Sequence, residues 1–172
     1  MATVEPITLK LEAGPGASVR IEWDPERLRA LRSPQTETGC WRLGGEPDWS
    51  SVSALRVISA AFEDGKLLAL AAIRPAGAEG HGEESVGGVI VQSDGSRAEL
   101  VAALISAEYD SEGVPQRIGL ELYTEPDEVP LRGAGDRAPE GLERGNGSYV
   151  VPMAFRLEGT PGTGLLERLS RA

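Results

Sequence analysis

The feature that most constrains this chain is alternation: side chains switch faces every residue, and turn residues break the pattern at short intervals. Ile7-Thr-Leu-Lys-Leu-Glu12 and Tyr149-Val-Val-Pro-Met-Ala-Phe-Arg-Leu157 both read this way, which is the period of a strand with one buried face. With 22 Gly and 12 Pro among 172 residues, turns must be frequent and elements short. The expectation is an all-β plan. The length is enough for one hydrophobic core, and the pattern marks no linker, so a single domain over residues 1–172 is expected.

A pass along the chain places the elements. Residues 7 to 11 alternate, Gly14-Pro15-Gly16 interrupts them, and Val19, Ile21 and Trp23 resume the period, which predicts an opening hairpin. Asp24-Pro25-Glu26 has the order of an N-cap, a first-turn proline and an acidic second position. A short helix carrying Leu28 and Leu31 should follow and end near Ser33-Pro34. Residues 35 to 50 read as a polar loop whose Trp41 and Trp49 are expected to pack across a barrel end. The clearest hairpin spans 53 to 74, with Glu63-Asp64-Gly65 reversing the chain between Val57–Phe62 and Leu67–Ile73. Both faces of these two strands are apolar, so they should sit centrally with cover on each side. Their alanines suggest an interior cavity.

A connection over 75–86 leads to a strand at Gly88–Val91 and a turn at Ser93-Asp94-Gly95-Ser96. Residues 98 to 109 fit a helix face as well as alternation. Their neighbours favour strand, because Asp110-Ser-Glu-Gly113 resembles a hairpin connection into the strictly alternating Ile118, Leu120 and Leu122. After a short strand near Val129–Arg132, residues 133 to 148 read as a Gly-rich loop closed by Asn146-Gly147. Pro152 has no amide hydrogen for a ladder, which predicts an edge or bulged position for the strand from Tyr149 to Leu157. The tail from Gly159 would add a last short strand. The sum is about eight to ten antiparallel strands with one short helix, either a barrel or a two-sheet sandwich.

Charge and motif content narrow the function. A formal net charge of -10 repels phosphate backbones and anionic lipid surfaces, so neither nucleic acid nor membrane is an expected partner. A lone cysteine, no basic-then-apolar start and no apolar run of spanning length point to a cytoplasmic protein. Neither a Gly-x-Ser-x-Gly elbow nor a phosphate loop occurs. Gly133-Ala-Gly135-Asp-Arg-Ala138 has dinucleotide-like spacing but no βαβ unit around it, so it reads as loop. One histidine and one cysteine are too few for a zinc centre, and no metal or cofactor is expected. Cys40 reads as a small hydrophobe.

The combination of Tyr109-Asp110 with Gly113-Val-Pro-Gln-Arg-Ile118-Gly-Leu-Glu-Leu122 and the closing Gly159-x-x-Gly162-x-Gly164-x-x-Glu167 resembles the C-terminal half of lipocalin-like proteins related to hydroxyneurosporene synthase, the carotenoid hydratase superfamily. In Glu83-Glu84-Ser85-Val86-Gly87, Ser85 and Gly87 match that family's Asp-x-Ser-Trp-Gly signature, with valine at the tryptophan position and glutamate at the aspartate. The resemblance implies a lipocalin-like β-barrel with a hydrophobic-ligand cavity and proton-driven chemistry on an alkene or polyketide.

Three functions are therefore open. The first is a noncatalytic domain for a small hydrophobic molecule, with Trp41, Trp49, His81 and Tyr109 at the ligand. The second is a cofactor-independent cyclase, isomerase or hydratase in which Glu83, Glu84 or Asp110 is a buried proton donor. The third is a structural or interaction module that forms homo-oligomers through an edge strand.

Overall fold

Strands that are apolar on both faces need a separate layer on each side, and this requirement organises the molecule. The structure, a computed structural model, describes residues 5–12, 18–32, 39–77, 84–126, 128–138, 143–145 and 148–170. Its strands are β1 (Ile7–Glu12), β2 (Ser18–Trp23), β3 (Trp41–Leu43), β4 (Val52–Phe62), β5 (Leu67–Pro75), β6 (Ser85–Val91), β7 (Arg97–Glu99), β8 (Ala102–Tyr109), β9 (Pro115–Tyr123), β10 (Leu131–Arg137), β11 (Glu143–Gly145), β12 (Ser148–Leu157) and β13 (Thr160–Leu169). One short helix, α1 (Pro25–Arg29), runs into a 3-10 turn at Ala30–Arg32. The expected turns at Gly14-Pro15-Gly16 and Asn146-Gly147 and the helix stop at Ser33-Pro34 lie outside the described residues. No helix among the described residues is long and apolar enough to cross a membrane.

β1, β2 and β3 form a three-stranded sheet in that order. The other strands form one antiparallel sheet in the order β7-β6-β5-β4-β13-β12-β10-β9-β8, with β11 beside β12. The large sheet curls into a half-barrel, and a two-residue corner ties its ends together. Leu100 and Val101 separate β7 from β8. The Leu100 N–H donates to the Gly88 carbonyl of β6 at 2.9 Å, and the Val101 N–H donates to the Tyr123 carbonyl of β9 at 2.8 Å. Residues 98 to 109 are thus strand apart from this corner, as their neighbours suggested.

Alternation on β4 and β5 sends side chains to two cores. Ile58, Phe62, Leu68 and Leu70 face into the curl, where Ile118, Val151, Met153, Phe155 and Leu166 meet them. Leu55, Val57, Leu67 and Ile73 face outward and are covered by Ile7, Ile21, Trp23, Leu28 and Leu31 from the small sheet and helical turn. Each such large side chain contributes ~1.5–3 kcal/mol when fully buried. The outer face beyond the small sheet's reach stays wet: Leu104 on β8 is 60% exposed. Helix α1 forms because the Asp24 carboxylate accepts from the Glu26 N–H at 3.0 Å and the Arg27 N–H at 3.5 Å, and because Pro25 at the helix start has no amide hydrogen left unsatisfied.

Four expectations need correction. The loop over 35–50 contains β3, whose Trp41 pairs with Trp23. Gly133 to Arg137 is strand β10, not loop. Its glycines are there for room, since a Cβ on Gly135 would lie 2.8 Å from the Phe155 ring across the ladder. β12 lies between β13 on one side and β10 and β11 on the other, rather than at an edge. Pro152 is tolerated because its side of the ladder is a break. Its carbonyl accepts from Ala138, just past the end of β10, so the missing N–H faces the gap between β10 and β11. The tail, finally, is the ten-residue β13, wedged between β4 and β12.

That wedge depends on Gly164. A Cβ there would stand 2.0 Å from the Ser59 carbonyl oxygen and 2.8 Å from the Ala60 Cα, both backbone atoms that cannot move without opening the ladder. Gly164→Ala is expected to destabilise the fold by about 3 kcal/mol or more, read by urea unfolding. A variant as stable as the parent would refute this close approach.

Candidate functional site

The curl's inner face ends in a polar cluster. Arg56 on β4 and Glu84 just before β6 sit on one face across β5, because Arg56 is opposite Ala72 and Ala72 is opposite Val86. Arg56 Nε donates to Glu84 Oε2 at 3.0 Å and its Nη2 donates to Oε1 at 2.5 Å, with both side chains 5% exposed. Removing one partner of such a buried pair typically costs ~3–5 kcal/mol. Tyr149 lies beside them. Burial pushes its phenol up to about 12, and Tyr109 and Glu84 add to the shift while Arg56 and Arg168 oppose it. Three sequence candidates, Glu84, Tyr109 and the adjoining Asp110, are therefore brought to one end of the curl.

Their chemistry there is that of ties between strands. Asp110 opens the turn after β8, and its carboxylate accepts from Arg137 Nη1 at 2.8 Å, the Val114 N–H at 3.0 Å and the Glu112 N–H at 2.8 Å. The Arg137 hydrogen bond, with these amides, holds its pKa down to about 2. That makes Asp110 an anion at neutral pH. Both oxygens of Glu84 are taken by Arg56. Within the curl, Phe62 packs over Gly162, and Phe155 packs over Gly135 and Gly164. Glu83 and His81 lie outside the described residues.

The opposite, outer face carries a groove. It opens where β2 passes into α1 beside β3, and encloses about 460 Å³. Pro6, Trp23, Pro25, Cys40 and Trp41 supply its apolar lining; Glu22, Asp24, Glu26, Arg27 and Arg42 supply its charges. Local bonds fix these walls. The Asp24 N–H donates to the Cys40 carbonyl at 2.8 Å, Arg27 Nη1 donates to the Gly39 carbonyl at 3.2 Å, and Arg42 grips Glu22 Oε2 through Nε at 3.1 Å and Nη2 at 2.9 Å.

Beneath the groove lies a second buried polar set. Trp23 Nε1 donates to Ser59 Oγ at 3.0 Å, and the Cys40 thiol shares the same hydroxyl. Burial pushes that thiol up to about 11, the Ser59 bond opposing. Trp41 Nε1 donates to Glu167 Oε1 at 2.9 Å. Glu167 is only 9% exposed, and burial raises its carboxyl above the ordinary range, the Trp41 bond opposing. Among the described residues no Lys or Arg forms an ion pair with it. Trp49 also packs on this outer core, its Nε1 donating to Glu46 at 2.9 Å. Trp41 and Trp49 are thus on the face opposite Tyr109 and do not share a cavity with it.

Sequence reasoning does not mark Ser59, Arg56 or Tyr149 as site residues, and names Glu167 only as the end of the closing Gly-rich motif. A signal for Glu167 existed: in a strand, Leu165, Glu167 and Leu169 share one face, so the acid had to enter an apolar layer. Among the described residues no group of three or more His, Cys, Asp or Glu is placed to hold a metal ion. No protein-family model matches the chain, and no curated protein matches it significantly.

Two measurements check this environment. A buried acid with a raised pKa contributes stability in full below the ordinary carboxyl value, and that contribution is lost as pH rises through the folded-state value. Glu167→Gln keeps an oxygen for Trp41 and removes the titration. Urea unfolding should show the wild type losing stability relative to this variant as pH rises from 4.5; a difference that stays flat with pH would contradict the burial. Cys40, with its thiol pushed up to about 11, should resist alkylation in the folded protein at mildly alkaline pH and react fully in denaturant. Fast labelling of the folded chain would show the thiol to be accessible.

Proposed function

We propose that this chain is a binding domain for a small, largely apolar molecule, and that the molecule sits in the outer groove against Trp41. The supporting observation is the groove itself. Its volume of about 460 Å³ lies within the ~300–1,000 Å³ of small-molecule sites, and it offers the apolar surface of Trp41 and Pro6 beside a rim of charged side chains that bond one another. The walls are already in place, because the bonds of Asp24, Arg27 and Arg42 hold the edges without a ligand. Preorganisation of this kind lowers the entropic cost of binding.

The inner face of the curl supports the reading less well, since Phe62, Phe155 and Met153 occupy it. The ligand thus sits on the side of Trp41 rather than of Tyr109.

Titration with Nile red, an apolar fluorophore, tests the proposal. Emission should rise and saturate at one probe per chain. Trp41→Ala should weaken binding about tenfold, the equivalent of ~1.4 kcal/mol from a lost aromatic contact, with circular dichroism confirming the fold. Binding that never saturates, or that is lost in Tyr109→Ala and kept in Trp41→Ala, would overturn it.

A further inference from the structure

We infer that the ligand of the Trp41 groove is an amphipathic cation, an ammonium head over the indole with an apolar body along the groove. The inference rests on the reading of the groove as a ligand site and adds the ligand's charge. It comes from pairing off the charges around the groove. Arg42 is committed to Glu22 at 2.9 Å, with Arg20 also 3.6 Å from that carboxylate. Arg27 donates to the Gly39 carbonyl at 3.2 Å and lies 3.8 Å from Asp24. The remaining acids are Glu26 on the rim and Glu167 at the N–H edge of the Trp41 indole, which adds negative charge there in its ionised form.

Glu167 gives the aromatic wall its polarity. An indole N–H that donates to a carboxylate pushes electron density into the ring, and a more electron-rich ring attracts a cation over its face more strongly. Glu167 accepts that bond at 2.9 Å with no cation of its own among the described residues. A carboxylate or phosphate ligand would find every guanidinium of the groove already engaged and would approach a chain of net charge -10. An ammonium meets neither obstacle.

Isothermal titration of the full chain with three probes of equal tail length, octyltrimethylammonium, octyl sulfate and octyl glucoside, separates charge from apolar contact. The ammonium should bind about tenfold tighter than the sulfate, and tighter than the glucoside. Glu167→Gln, which retains an oxygen for the Trp41 bond, and Glu26→Gln should each weaken the ammonium several-fold and leave the glucoside unchanged. Equal affinity for all three probes, still reduced by Trp41→Ala, would overturn the charge inference and leave the groove reading standing. An ammonium preference indifferent to both glutamine variants would also overturn it, since the charge would then act elsewhere. Failure of all three to bind would remove the groove reading and this inference with it.

Discussion

β4 and β5 are buried on both faces along most of their length, and the rest of the structure follows from keeping both faces out of water. A flat sheet would leave at least one face wet. The chain covers the inner face by curling the sheet on itself, with Phe62, Met153 and Phe155 filling the space. It covers the outer face by folding its first residues back as a small sheet with one helical turn, which brings Trp23 and Leu28 down onto Leu55 and Val57. Close approach is possible where side chains are absent: Gly162 and Gly164 let β13 run against β4 at distances that any Cβ would forbid. The sheet can stay curled because Leu100 and Val101 bond to both of its ends.

The two cores treat buried charge differently. On the inner side, Arg56 and Glu84 neutralise each other with two hydrogen bonds, and Asp110 is matched by Arg137. These groups are electrostatically complete. On the outer side, Glu167 has an indole N–H and no counter-cation among the described residues. Burial raises the pKa of a carboxyl left in this state, and its ionised form places a negative charge against Trp41 at the wall of a groove. Groups of this kind mark functional sites more often than matched pairs do, which is why the functional proposal follows Trp41 and Glu167 rather than the more conspicuous cluster inside the curl.

How much of this was legible in the sequence depended on the range over which each signal acts. The two-faced hairpin, the Asp24 cap and the strand nature of residues 98 to 109 come from local patterns, and they appear as expected. β10 looks like loop locally because Gly133 and Gly135 lower strand propensity, while the side chains that need their room, Leu157 and Phe155, lie about twenty residues further along. β3 has three residues and becomes a strand only by pairing with β2. Trp41 could be singled out as a large aromatic in a polar stretch, but not its face. Its partner Glu167 is 126 residues away, and no local pattern reports a contact of that span.

The central claim is that the outer groove, not the interior of the curl, is where a ligand meets this protein. The most direct test is nitrogen-15 NMR of the indole and backbone amides during titration with octyltrimethylammonium. The Trp41 indole and the amides of Gly39 to Arg42 and of Asp24, Glu26 and Arg27 should shift together and saturate, with Tyr109 and Tyr149 unmoved. Shifts confined to Tyr109, Tyr149 and the strands around them, with Trp41 unchanged, would contradict it.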